Sequence, residues 1–267
     1  MRTILDEIFD RKRSRVADER SHVDLAHLAE TARAVRSASR SGVLRAALEG
    51  SGVNIIAEFK RASPSKGVIN DSSDAADVAR QYEMAGARAI SVLTEEDFFM
   101  GSLEDLRKAR EAVSLPILRK DFVFDEFQIY EAAAAGADAI LLIVSSLDAD
   151  RLRQLRLLAE DELGMDALVE VHTADEMAIA ADVGAKLIGV NNRDLKTFEV
   201  SLDVSRELVK LKPSDATLVA ESGLRTRDDL IELRSLGYSA FLIGETLMRS
   251  DDAAGALRGL VGRPESV

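Results

Sequence analysis

A chain of 267 residues, 46% of them apolar, can build one large core, and its net charge of −12 argues against non-specific binding to nucleic acid or an anionic membrane. An anionic substrate stays open, provided that its cations are gathered locally. Cysteine is absent, which excludes disulfide and thiolate chemistry and fits a reducing cytoplasm, and no apolar run reaches the roughly 18 residues of a membrane span.

In chain order, the opening "MRTILDEIFDRKRSR" mixes acids with bases and has no apolar core of a signal peptide. Ile4 with Ile8, and Leu5 with Phe9, stand at helical spacing, so an amphipathic helix is expected. Leu25, Leu28, Ala32 and Val35 form a second helical stripe, and Leu44, Ala47 and Leu48 a third. Residues 1–50 therefore read as a helical extension packed on the rest of the chain, with "RSASRSG" from Arg36 as a polar hinge. Four similar segments come next: "AGARAISVL" from Ala85, "AGADAILLI" from Ala135, "VGAKLIGVN" from Val183 and "LGYSAFLIG" from Leu236. Each carries a glycine at a helix end, then a short apolar strand. Those glycines, Gly86, Gly136, Gly184 and Gly237, lie 50, 48 and 53 residues apart, room for two βα units per period.

The missing strands lie midway: "NIIAEF" from Asn54, "LPILRKDF" from Leu115, "DALVEV" from Asp166 and "ATLVAES" from Ala216. Helical patterns over 75–85, 103–113 and 127–135 fill gaps between them. Eight short strands, apolar on both faces and alternating with helices, predict a (βα)8 TIM barrel over 51–262 in a single domain with its extension. An open doubly wound sheet is the alternative, but no glycine-rich nucleotide fingerprint comes after the first strand. The acidic "DDAAG" from Asp251 is expected to cap the last helix, and the tail from Gly262 to fray.

The odd strands end in ionisable groups: Glu58 and Lys60, then Arg119-Lys120-Asp121, then Glu170, then Glu221. The even strands end in Leu93, Val144, Asn191 and Gly244. Buried charges are costly unless paired or functional, and in a barrel all eight carboxyl ends meet at one mouth. Two lysines and three glutamates converging there point to proton-transfer chemistry. The runs Glu221-Ser222-Gly223-Leu224 and Ile243-Gly244-Glu245-Thr246 put a glycine before a helix in the two loops that usually cradle phosphate in this fold. "SPSKG" from Ser63 lacks the residues of a Walker loop and reads as a loop over the mouth. Of His22, His27 and His172, only His172 approaches the mouth, and no metal-ligand cluster stands out.

At these residues the chain resembles the indole-3-glycerol phosphate synthase family over essentially its whole length. "IAEFKRASPSKG" is highly specific to that family, and "LRKDF", "LVEVH", "GVNNRDL", "VAESGL" and "IGETLM" come after it in order. The resemblance implies conversion of 1-(2-carboxyphenylamino)-1-deoxyribulose 5-phosphate to indole-3-glycerol phosphate with loss of CO2 and water, without cofactor or metal. It implies Lys120 as general acid at the ribulose carbonyl, Glu170 as its acid–base partner, and Glu58 with Lys60 handling the carboxylate and later proton removal. Asn191, Glu221 and Ser222 would orient the hydroxyls and ring, Phe99 and Phe122 would wall the arene, and Ser63 and Arg193 would contact substrate. Gly223, Gly244 and the amide of Glu245 would hold phosphate, with the Glu245 side chain turned away. The resemblance further implies a cytoplasmic monomer, at most weakly associated with other enzymes of tryptophan synthesis. Three rival readings are a related phosphoribosyl-anthranilate-type isomerase, a Schiff-base aldolase using Lys120, and a catalytically silent binding module.

Overall fold

The structure, a computed structural model, describes residues 4–262, so the expected fraying of 263–267 lies outside the described residues. The extension forms α1 (Ile4–Ser21), α2 (Leu25–Ser37) and α3 (Val43–Ala47). Eight parallel strands come next: β1 (Asn54–Phe59), β2 (Ala89–Leu93), β3 (Ile117–Lys120), β4 (Ala139–Ile143), β5 (Asp166–Val171), β6 (Leu187–Asn191), β7 (Thr217–Glu221) and β8 (Ala240–Ile243). They pair in chain order and β8 pairs back onto β1, closing the barrel that the repeat predicts and overturning the open sheet. The helices between them are α4 (Ala75–Met84), α5 (Leu103–Ala112), α6 (Glu126–Ala134), α7 (Ala149–Leu157), α8 (Ala174–Asp182), α9 (Asp203–Leu208) and α10 (Arg227–Leu236). Two more, α11 (Glu245–Met248) and α12 (Ala253–Val261), lie after β8.

Local chemistry explains these boundaries. Asp74, Asp125, Thr226 and Asp252 cap α4, α6, α10 and α12 by accepting backbone N–H groups of the first turn. The four repeat glycines all take positive φ, from 76° at Gly184 to 122° at Gly237, where a Cβ would be strained. Several strand ends shift: Lys60 lies one residue beyond β1, and Gly244 lies one residue beyond β8, where it opens α11. Val144 belongs to a 3-10 turn after β4, not to the strand, and only Ile117–Lys120 of "LPILRKDF" is extended.

Strand alternation sorts the core into two layers. Ile56, Ala89, Leu118, Leu141, Leu168, Val219 and Leu242 point inward and form one cluster, while Ile55, Ile90, Ile117, Ile140 and Val169 meet the helices in another. Leu44 and Leu48 join the inner cluster, so α3 plugs the base of the barrel, and Asp166 accepts the N–H groups of Leu44 and Arg45. The base is thus filled with apolar side chains, which leaves the opposite end for chemistry.

The extension grips the barrel through two buried cations, Arg36 and Lys12. Arg36, expected in a polar hinge, is 6% exposed and belongs to α2. Its guanidinium donates to the carbonyls of Ala137, Leu163 and Gly164 and pairs with Asp138 at 2.9 Å. Four satisfied bonds explain why the charge is buried: the loop carbonyls beneath the barrel need a multidentate donor. At the other end, Lys12 of α1 lies 2.9 Å from Asp121 and 3.0 Å from Glu96, with 2% of its side chain exposed. Replacing Lys12 with methionine is expected to destabilise the protein by about 3 kcal/mol, because Asp121 stays buried with fewer cations. The loss should appear as a lower urea midpoint at unchanged m-value.

Candidate active site

At the carboxyl ends of the strands, side chains two apart continue the inward series: Ile56 to Glu58 and Lys60, Leu118 to Lys120, Leu168 to Glu170, and Val219 to Glu221. Arg119, counted with the mouth charges in the sequence, alternates to the outside, and Asp121, though it borders the cleft, turns its carboxylate to the same outer network. There Arg119 pairs with Asp121 at 3.1 Å and Glu131 at 2.7 Å, and Asp121 meets Thr94 and Lys12. One residue of phase therefore divides a structural ion network from the mouth.

The mouth opens into a cleft with about 1140 Å³ of space between atoms, part of it continuous with solvent, enough for an arene, a five-carbon chain and a phosphate. Glu58, Lys60, Lys120, Glu170, Asn191 and Glu221 line its floor and sides. Ser63, Phe99, Phe122, Arg193, Ser222, Gly223, Gly244 and Glu245 line it too, so every residue singled out for the site borders one cavity.

Lys120 Nζ lies 3.1 Å from Glu170 Oε2 and 3.4 Å from Glu221 Oε2, and Lys60 Nζ lies 2.6 Å from Glu58 Oε1. Burial alone would discharge Lys120, but Glu170, Glu221 and Glu58 outweigh it and raise its pKa above the ordinary lysine value. The two glutamates on this lysine diverge. Burial opposes ionisation of Glu170, yet Lys120, His172 and Asn191 hold it well below the usual carboxylate range. Burial, opposed by Lys120 and reinforced by Glu170 and Glu58, raises Glu221 to about 8. At neutral pH the mouth therefore offers an ammonium, an ionised carboxylate and a carboxylic acid within one hydrogen-bonding cluster.

Small residues on the even strands make room for these groups. A Cβ on Gly189 of β6 would sit 2.1 Å from Glu221 Oε1, and one on Gly244 would sit 2.2 Å from Glu58 Oε1. Gly189→Ala is expected to lower kcat about a hundredfold with KM nearly unchanged, since the methyl displaces Glu221 by more than an ångström. Steady-state kinetics checks the split.

The opposite rim has two glycine turns. Ser222 and Gly223 both adopt positive φ, 61° and 79°, folding the chain back after β7, and Gly244 opens α11 after β8. Glu245 points to Arg249 at 3.3 Å and Arg193 at 3.6 Å, so two guanidiniums counter its carboxylate. Arg193 also donates to Ser65 Oγ and the Phe198 carbonyl, tying the loop after β1 to the loop after β6.

Two contributions escape a reading of the sequence. Ile4, Leu5 and Ile8 of α1 line the cleft, and Phe9 packs edge-on against Phe122 at 5.2 Å between ring centres. The extension thus forms part of the wall beside Phe99 and Phe122. Asn192 is buried on the outer side and donates to the carbonyls of Glu221 and Ser222 while accepting from Ser205, which fixes the turn after β7. His172, the one histidine that the sequence places near the mouth, stands beside Glu170, its Nε2 3.3 Å from Oε1. Among the described residues, no group of three or more His, Asp or Glu side chains is placed to hold a metal ion.

Fold and cleft together define a (βα)8-barrel enzyme with its ionisable groups at the carboxyl ends of the strands. The model of the family described as indole-3-glycerol phosphate synthase matches residues 5–260, and the chain belongs to that family. An indole-3-glycerol phosphate synthase of Ruminiclostridium cellulolyticum is 46% identical over 259 residues, spanning 97% of this chain and 99% of the relative. Another, of Desulfotalea psychrophila, is 48% identical over 260 residues, again 97% and 99%. Among solved structures, the thiamine phosphate pyrophosphorylase of Pyrococcus furiosus shares 17% identity at a TM-score of 0.59, covering 80% of this chain and 95% of that one. KGPDC of Streptococcus mutans shares 18% at a TM-score of 0.60, covering 79% and 96%. At that identity these likenesses show the fold alone.

Proposed function

We propose that the cleft takes 1-(2-carboxyphenylamino)-1-deoxyribulose 5-phosphate and converts it to indole-3-glycerol phosphate by general acid–base catalysis. The arene lies against Phe99, Phe122 and the α1 side chains, and the phosphate lies at the amides of Gly223, Gly244 and Glu245. That places the ribulose carbonyl over Lys120. The ring carbon bearing the carboxylate attacks the carbonyl carbon, and the carbonyl π electrons go to oxygen, which Lys120 protonates. The resulting iminium accepts the electrons released as CO2 departs, so the ring recovers aromaticity. Water then leaves: an acid protonates the new hydroxyl while a base takes a proton from the neighbouring carbon. Glu170 serves as the acid–base partner of Lys120, and Glu58 with Lys60 manages the carboxylate and the later proton removal. Asn191, Glu221 and Ser222 orient the hydroxyls, with Ser63 and Arg193 at the phosphate end.

One observation carries this reading: an ammonium at the floor of an apolar-walled cleft, held charged by carboxylates 3.1 and 3.4 Å away. A Schiff-base aldolase needs the opposite, a lysine whose neutral amine is favoured. The decisive experiment adds the carboxyphenylamino ribulose phosphate and monitors indole fluorescence together with CO2 release. Turnover without CO2, or none, would reject the assignment. The cytoplasm as its location and a monomeric working state belong to the same proposal. Among the described residues no helix is long and apolar enough to cross a membrane.

A further inference from the structure

We propose that His172, clamped by Glu176, is a positioning residue that holds Glu170 so that one carboxylate oxygen faces Lys120. This rests on the acid–base reading above and adds a residue to it. His172 comes directly after β5, two residues beyond Glu170, so both side chains leave the strand end on the same side. Glu170 divides its oxygens. Oε2 accepts from Lys120 Nζ at 3.1 Å, and Oε1 lies 3.3 Å from His172 Nε2, within ion-pair distance though off the hydrogen-bond line.

Behind the ring, Nδ1 lies 3.2 Å from Glu176 Oε2, and the same oxygen accepts the backbone N–H of His172 at 2.6 Å. Glu176 is itself fixed, because it stands in the first turn of α8 and donates its N–H to the capping Thr173. The imidazole thus has a carboxylate at each nitrogen. Burial opposes its charge, but Glu170 and Glu176 outweigh burial and push His172 up to about 10, so it is cationic at neutral pH. The charged groups around the ring and its partner are Glu176 from α8, Lys120 from β3, Glu221 from β7 and Glu58 from β1.

The contrast with Glu221 shows what the clamp does. Glu221 also faces Lys120, but among the described residues it pairs with no second cation, and its Oε1 is buried against Gly189 without a hydrogen-bond partner there. Two glutamates share one lysine, and His172, together with Asn191, makes them unequal. Without His172, Glu170 loses the one cation at its outer oxygen among the described residues, and Glu221 competes with it for the same ammonium.

The test starts with wild-type turnover of the carboxyphenylamino ribulose phosphate. No turnover there would strike the acid–base reading, not the role of His172. With turnover present, His172→Gln is expected to lower kcat tenfold to a hundredfold, on the order expected for a misplaced catalytic group, with KM within about twofold. In a Glu170→Gln background the same change should have almost no further effect, because His172 acts through Glu170. Multiplying losses would overturn the proposal. A second readout needs no activity. With three histidines in the chain, the His172 ring signal can be assigned in NMR spectra by its disappearance in His172→Gln. Its titration should lie well above that of an ordinary imidazole and fall by roughly a pH unit or more in Glu170→Gln. A wild-type titration near the ordinary value of about 6.5 would overturn the clamp. Should His172→Gln fail to fold, Glu176→Gln leaves the ring in place. It is expected to lower kcat in the same direction by a smaller factor, and an unchanged kcat would count against the proposal.

Discussion

Replacing Lys120 with methionine is expected to lower kcat by roughly a thousandfold or more, on the scale of losing a general acid and an oxyanion partner together. The variant should also become pH-sensitive in its stability, for a separate reason. Lys120 lies within ion-pair distance of Glu170 and Glu221, and Glu58 also faces it. Removing the cation leaves buried carboxylates that escape repulsion only by taking up protons. The sign comes from linkage. In the wild type, the depressed Glu170 contributes stability above the ordinary carboxylate pKa, and that contribution is lost as pH falls through its folded value. In the variant Glu170 loses its principal cation, so the folded state binds protons more tightly and loses stability as pH rises. The gap between the two proteins should therefore widen from pH 5 to pH 8, reaching about 3–5 kcal/mol as for a broken buried pair. Urea unfolding at both pH values measures it. Lys120→Arg should recover much of the stability and little of the rate, because the guanidinium keeps the charge but not the reach of the amine. A binding module without chemistry predicts no rate to lose, so measurable wild-type turnover already separates it from the enzyme.

Much of this arrangement is legible in the sequence because barrels repeat. Gly86, Gly136, Gly184 and Gly237 mark helix ends at even spacing, and a left-handed residue after a helix is a local requirement that any reader of the chain can find. The mouth is legible for a related reason: Glu58, Lys120, Glu170 and Glu221 interrupt apolar strands at the same phase. What is not legible depends on contacts far apart in sequence. Lys12 sits among the charges of "DRKRSR" with nothing local to single it out, yet it is buried against Asp121 from β3's far end. Arg36 reads as part of a polar hinge, yet it binds carbonyls more than a hundred residues away. Asn191 and Asn192 look equivalent, but one points into the mouth and the other outward to brace the turn after β7. Arg119, Lys120 and Asp121 divide in the same way. The strand period separates such neighbours only once the strand's limits are known, and those limits are the least certain part of any sequence reading.

The second large effect is expected at Glu221, which holds a proton up to about pH 8 because burial and its neighbours Glu170 and Glu58 outweigh Lys120. If its protonated form is the one that orients the substrate hydroxyls, wild-type kcat should fall about tenfold per pH unit above that point. Glu221→Gln retains a hydrogen-bond donor without an ionisable proton. Its kcat should be about a hundredfold lower near neutrality and show no fall between pH 7 and 9. Stability gives an independent reading, with the opposite sense from Glu170. A carboxyl whose folded pKa lies above its ordinary value binds its proton more tightly when folded, so stability declines as pH rises from the ordinary carboxylate value of about 4.3 toward 8. For one group the slope approaches about 1.4 kcal/mol per pH unit, and it vanishes above the folded pKa. Glutamine removes that slope, so the variant should gain stability relative to the wild type as pH rises through this window and hold the gain beyond it. Measuring the difference between the two proteins cancels the titration of distant groups, since these are common to both. A difference that stays constant from pH 5 to 9 would mean that Glu221 is ionised throughout, and Lys120 would then face two equivalent carboxylates.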